Sequence, residues 1–139
     1  MAKTFDLEVM APDKKLFSGK ADSVTVTGTD GIFTVLADHM PMISGLGIGA
    51  MTVKHDGNTD VAYHSGGFIE IKNNSVIIFT EACEWAGDID AMRAETARQK
   101  ALEKLSHKQS NMEHKHLEIS MLRAITRLDI AKNRNINIK

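Results

Sequence analysis

The chain has 139 residues, 42% of them hydrophobic and 25% charged, with two prolines, one cysteine and a formal net charge of −1. That length suits one domain, or a compact domain with a small appendage, and excludes a large multi-domain enzyme. The composition excludes a disordered tail, a collagen-like repeat and low complexity, and the near-neutral balance gives no reason to expect a nucleic-acid partner.

The charge is unevenly spread. Residues 1–87 carry six Lys/Arg against eleven Asp/Glu, net −5, and residues 88–139 carry eleven against seven, net +4. The split points either to two parts with different partners, the second facing an acidic surface, or to ordinary solvation of a helical segment. Apolar runs such as Val76-Ile77-Ile78-Phe79 fall far below the roughly 20 residues of a membrane-spanning helix. Met1 to Asp6 has neither the apolar core nor the cleavage site of a secretory signal, so a cytoplasmic location is expected. Cys83 has no second cysteine to pair with and reads as an idle thiol.

From Thr4 to Glu81 apolar residues recur at every second position, as in Phe5, Leu7, Val9 and in Val24, Val26, which is the period of half-buried strands. Turn chemistry interrupts the pattern at Ala11-Pro12-Asp13, Gly28-Thr29-Asp30-Gly31, Asp56-Gly57-Asn58 and Asn73-Asn74. Short strands at such intervals predict a sandwich or barrel. Two hairpins are explicit: Met51 to Val53 with Val61 to Tyr63 across Asp56-Gly57, and Phe68 to Lys72 with Val76 to Thr80 across Asn73-Asn74. The glycine-dense stretch Gly45-Leu46-Gly47-Ile48-Gly49 follows no strand-to-helix pattern and reads as a loop or bulge rather than a phosphate cradle.

After Gly87 the chain turns to Ala, Met, Leu, Lys, Arg, Glu and Gln with no further glycine or proline, so helices are predicted. Asp88 or Asp90 can cap the first, which places Ala91, Ala94, Ala101 and Leu105 on one face. A polar break runs from Ser106 to Asn111, and a second helix follows from about Met112 to Lys132. In it Leu117, Met121, Ala124, Leu128 and Ala131 form an apolar seam. The expected fold is therefore α+β: an antiparallel β-sandwich of about ten short strands over residues 1–87, then an antiparallel two-helix hairpin over residues 88–139. An alanine-rich helical contact buries little apolar area, so the hairpin should be marginal alone.

Catalytic chemistry finds few candidates. Ser65 follows His64, but adjacent strand residues face opposite ways, and no GxSxG elbow occurs. His39, His55 and His64 lie on the β part and are the candidate metal set, with no HxH pair among them. His114 and His116 form an HxH that helical geometry turns to nearly opposite faces. Arg123 and Arg127 are four apart on one helical face and Arg93 begins the other helix, so a folded hairpin can gather guanidinium groups for phosphate, although a solvated face explains the spacing equally.

Three motifs carry a resemblance over nearly the whole chain: Gly28-x-x-Gly31 followed by His39-x-Pro41, then Ser65-Gly66-Gly67-Phe68-x-Glu70-Ile71, then Ile89-Asp90-x-x-Arg93-Ala94. In this order and spacing they resemble the epsilon subunit family of bacterial F-type ATP synthases. The resemblance implies a rotor-stalk subunit without an active site, in contact with the gamma subunit, the c-ring and the alpha/beta catalytic head. It also implies a place on the cytoplasmic side of the plasma membrane, touching the membrane only through the c-ring. By the same resemblance the stretch from Gly28 to Met42 is the loop near the c-ring, so Gly28, Gly31, Ile32, His39, Met40, Pro41 and Met42 are partner-contact candidates. Ile32 stands where the family usually has an acidic residue, so no salt bridge is carried over there.

Family hairpins either fold against the sandwich or extend into the head and block ATP hydrolysis. Some members bind ATP in the folded hairpin. The matching residues here are Glu84, Ile89, Asp90, Arg93 and Ala94, with Arg123 and Arg127 from the second helix. No cofactor is required on this reading, and ATP enters as a regulatory ligand that holds the hairpin down. The competing reading is a stand-alone β-sandwich module that binds a ligand or a metal and carries a helical tail.

Overall fold

A computed structural model describes residues 3–107 and 110–133. Residues 108 and 109 of the predicted break and the last six residues of the predicted helical part lie outside it.

Ten strands come first: β1 (Phe5–Ala11), β2 (Lys14–Ala21), β3 (Ser23–Gly28), β4 (Gly31–Leu36), β5 (Met42–Gly45), β6 (Ile48–His55), β7 (Asn58–Ser65), β8 (Phe68–Lys72), β9 (Ser75–Phe79) and β10 (Ala82–Trp85). A 3-10 turn at Ala86–Asp88 leads into α1 (Ala91–Leu105), and α2 follows (Asn111–Asn133). The strands form two five-stranded sheets, ordered β2-β1-β9-β8-β5 and β10-β7-β6-β3-β4. Both predicted hairpins form, with Met51 opposite Ala62 and Ile69 opposite Ile78. One pairing departs from the antiparallel expectation: β1 runs parallel to β9, with Leu7 opposite Val76 and Val9 opposite Ile78. Those strands are distant in the sequence, so their pairing leaves no turn signature.

Alternation decides which face is buried. Phe5, Leu7 and Val9 from the first sheet, with Ile69, Ile71, Val76 and Ile78, meet Val24, Val26, Val35, Met51, Val53 and Ala62 from the second, all buried. This core draws no residue from either helix, which gives the sandwich a means of folding independent of them. On β7 the residue after Ala62 is Tyr63, also fully buried but on the opposite face. There it joins a second cluster with Ala86, Ile89 and Ile130, flanked by Ile48, Val61, Ala82 and Ala131. The hairpin thus lies folded against the outer face of β6 and β7.

The glycine-dense stretch holds the end of β5, a single bridge from Leu46 to Gly28, and the start of β6. Gly49 is required there, since a Cβ would stand 2.2 Å from the Thr27 hydroxyl. His64 is buried between the strands, its Nε2 accepting the Thr27 amide at 3.2 Å. Burial pushes its pKa down from 6.5 to about 4. Between those values the unfolded chain binds a proton that the native chain refuses, so stability falls as pH drops from 6.5 towards 4 and levels off below. The span amounts to about 3 kcal/mol at 1.36 kcal/mol per unit. Urea unfolding of wild type and His64→Gln across this range tests it: the variant should lose this part of the pH dependence, and an unchanged slope would contradict it.

Candidate functional site

The helices approach closely because the residues between them are small. Ala94 and Ala101 of α1 and Ala124 of α2 are buried at the contact, together with Leu128. Leu117 and Met121 of the predicted seam are half-buried, whereas Ala91 is exposed. The start of α1 is set by Asp90, whose Oδ1 accepts the Arg93 amide at 3.0 Å. Asp88 lies one step earlier, in the 3-10 turn.

Between these two helix faces and the end of the sandwich lies a cleft of about 480 Å³. Glu84, Asp90, Arg93, Ala94, Arg123 and Arg127 line it, so six of the seven residues predicted for a nucleotide are brought together. The seventh, Ile89, sits beneath in the Tyr63 cluster and supports the turn from below. Asp88, Ala97, Ser120 and Ala124 also line the cleft and were not predicted as ligand residues. Ala97 and Ser120 are one helical turn from Arg93 and Arg123 respectively, and that spacing was the signal available to find them.

Three guanidinium groups face three carboxyl groups across this space. Arg127 lies over the Tyr63 ring, 4.3 Å from its centroid, with its Nε 3.6 Å from Glu84 Oε1. Arg123 Nη2 stands 3.4 Å from Glu81 Oε2. The Nε atoms of Arg123 and Arg127 are buried without a hydrogen-bond partner among the described residues. Buried donors without an acceptor are costly, and an anion entering the cleft would relieve that cost. The arrangement suits a phosphate-bearing ligand with an apolar portion against Ala94, Ala97 and Ala124.

The histidines do not converge. His39 Nδ1 bonds the Met40 carbonyl at 2.8 Å, His55 Nε2 pairs with Asp60 at 2.7 Å, and His64 is buried on Thr27. Among the described residues no group of three or more His, Cys, Asp or Glu stands at metal-binding spacing.

The stretch from Gly28 to Met42 is not one loop. Gly28 and Gly31 bracket a tight turn, and Gly31 opens β4, an edge strand whose residues alternate outward at Ile32, Thr34 and Leu36. His39, Met40 and Pro41 follow at the far end of that strand, and Met42 opens β5 in the other sheet. The partner-contact candidates are therefore divided between the two ends of β4. Ile32 and Met40 are 74% and 71% exposed, as are the unpredicted Leu36 at 59% and, on β5 of the other sheet, Ile43 at 71%, so large apolar side chains stand in solvent on both edge strands.

A β-sandwich that carries a folded two-helix hairpin, with an arginine-lined cleft beneath the helices, defines the class. The sequence profile described as "ATP synthase, Delta/Epsilon chain, beta-sandwich domain" matches residues 4–86, and "ATP synthase, Delta/Epsilon chain, long alpha-helix domain" matches residues 88–132. An ATP synthase epsilon chain of Caldanaerobacter subterraneus subsp. tengcongensis is 39% identical over 132 residues, 94% of this chain and 96% of that one. The chain belongs to the family of ATP synthase epsilon chains. Its fold is shared by a chain of the Euglena gracilis mitochondrial ATP synthase OSCP/F1/c-ring structure, with a TM-score of 0.79, 22% identity and coverage of 93% and 81%. A chain of the Tetrahymena thermophila mitochondrial ATP synthase central stalk/c-ring structure shares it too, with a TM-score of 0.67, 10% identity and coverage of 93% and 97%.

Proposed function

We propose that this chain is a non-catalytic subunit of the central stalk, coupling c-ring rotation to the catalytic head and restraining ATP hydrolysis through its helical hairpin. The sandwich is the coupling part, with gamma and the c-ring as partners. The exposed apolar side chains of Ile32, Leu36, Met40 and Ile43, on and beside the edge strands β4 and β5, are the contacts that suit them. The two structural neighbours come from ATP synthase assemblies that include the c-ring, which supports this reading. On this reading the chain is a peripheral subunit on the cytoplasmic side that reaches the membrane through the c-ring; among the described residues no helix is long and apolar enough to cross a membrane.

The cleft is the regulatory element, and its carrying observation is the gathering of Arg93, Arg123 and Arg127 from both helices around one anion-sized space. A ligand that spans both helices and the sandwich exists only on the folded hairpin and stabilises it by mass action. ATP at that place would hold the hairpin down, and its depletion would free the helices to reach the head. The ion pairs and ring contact around Arg123 and Arg127 already support the folded form without ligand, so ATP adds to a standing bias. Titrating ATP into the isotopically labelled full chain tests the reading by NMR. Shifts clustered at Arg93, Arg123 and Arg127 are expected, and no shift there at millimolar ATP would remove the nucleotide.

A further inference from the structure

The three guanidinium groups of the cleft are not equivalent. Arg93 makes no ion pair among the described residues, and Arg127 is held by Tyr63 and Glu84 at the cleft itself. Arg123 is drawn outward to Glu81, which is not part of the cleft lining. Glu81 is seated by the β7–β8 turn: its amide donates to the Ser65 carbonyl at 3.0 Å, and its carboxyl group passes over Gly66. A Cβ on Gly66 would stand 3.1 Å from Glu81 Cδ, with both carboxylate oxygens at 3.3 Å. The turn Ser65-Gly66-Gly67 therefore leaves a slot for this carboxylate, on the side from which Arg123 is reached.

A carboxylate and a phosphate present the same kind of acceptor to a guanidinium fork, and one fork cannot serve both fully. We propose that Glu81 is the resident counter-ion of Arg123, occupying it in the ligand-free chain and setting how tightly the cleft binds a polyphosphate. This rests on the nucleotide reading above and adds a residue of opposite effect to it. Glu81 helps to tie α2 to the sandwich without ligand, and it weakens the ligand by competing for Arg123 and by placing a negative charge nearby. The pair is exposed, with Glu81 at 68%, so its weight is modest, a factor of roughly two to five in affinity.

The test is calorimetric titration of the full chain and its Glu81→Gln variant with ATP and, separately, with inorganic tripolyphosphate. Glu103→Gln, an equal charge change near the other end of α1, serves as the control. The Glu81 variant should bind both anions roughly two- to fivefold more tightly than wild type at low salt, with the gap narrowing as salt is added, while the control binds as wild type does. ATP binding by wild type with equal or weaker binding by Glu81→Gln overturns the counter-ion role and leaves the nucleotide reading standing. Binding of tripolyphosphate but not ATP, still tighter in Glu81→Gln, keeps the counter-ion and removes the nucleotide. Binding of neither anion by either chain removes both.

Discussion

Replacing Gly67 by alanine is expected to destabilise the sandwich by about 3 kcal/mol or more, from backbone strain and overpacking together. Gly67 has φ +98°, a conformation that residues with a side chain rarely adopt. Its Cβ would lie 1.9 Å from the Phe79 carbonyl oxygen and 2.7 Å from Thr80 Cα, both backbone atoms of the segment that leaves β9. No rotamer change relieves a clash with backbone, so either the β7–β8 turn or the end of β9 must shift. That turn carries the chain from one sheet to the other, and the Gly67 carbonyl accepts the Leu46 amide at 2.9 Å, so a shift reaches β5 as well. Urea unfolding reads the effect as a lower midpoint. A loss below about 0.5 kcal/mol, the size of an ordinary surface change, would show that the turn has more room than this packing implies.

Ile130→Asp is expected to release the hairpin and leave the sandwich folded. Ile130 is 7% exposed and closes the cluster of Tyr63, Ala86 and Ile89, which is the apolar contact of α2 with the outer face of β7. Removing it forfeits about 1.5–3 kcal/mol of burial, and a carboxylate left in that setting adds a desolvation cost. The sandwich core shares no residue with this cluster, so α2 can leave before the charge is buried. Hydrogen exchange should quicken roughly ten- to a hundredfold along α2, the effect of losing 1.4–2.8 kcal/mol of local protection, while the amides of β1, β8 and β9 stay protected. Uniform loss of protection in strands and helices would mean that hairpin and sandwich form one cooperative unit.

The parts of the fold visible in the sequence are those with a local cause. Phe5, Leu7 and Val9 alternate because β1 has one face in the core, and Asp56-Gly57 and Asn73-Asn74 mark hairpins because Asp56, Gly57, Asn73 and Asn74 all take positive φ. The parallel pairing of β1 with β9 was hidden because no adjacent turn announces it. β4 was hidden within a supposed loop because its outward positions, Ile32, Thr34 and Leu36, include apolar residues that weaken the alternation. At the site, Arg93, Arg123 and Arg127 were legible as a set of matching residues. Their unequal partners were not, because Glu81 and Tyr63 reach them only through the docking of α2 on the sheet. Ile89 belonged to the predicted ligand set by motif, yet it is a buried support of the turn rather than a lining residue.

The proposed role makes the hairpin a brake carried by a coupling sandwich. It is tested most directly by measuring ATP hydrolysis by a catalytic head depleted of its epsilon chain, titrated with the full chain and separately with residues 1–87. Both proteins are expected to bind the head's stalk, only the full chain to slow hydrolysis, and its effect to weaken as ATP rises. Equal inhibition by the two proteins, or binding of both with inhibition by neither, would contradict it.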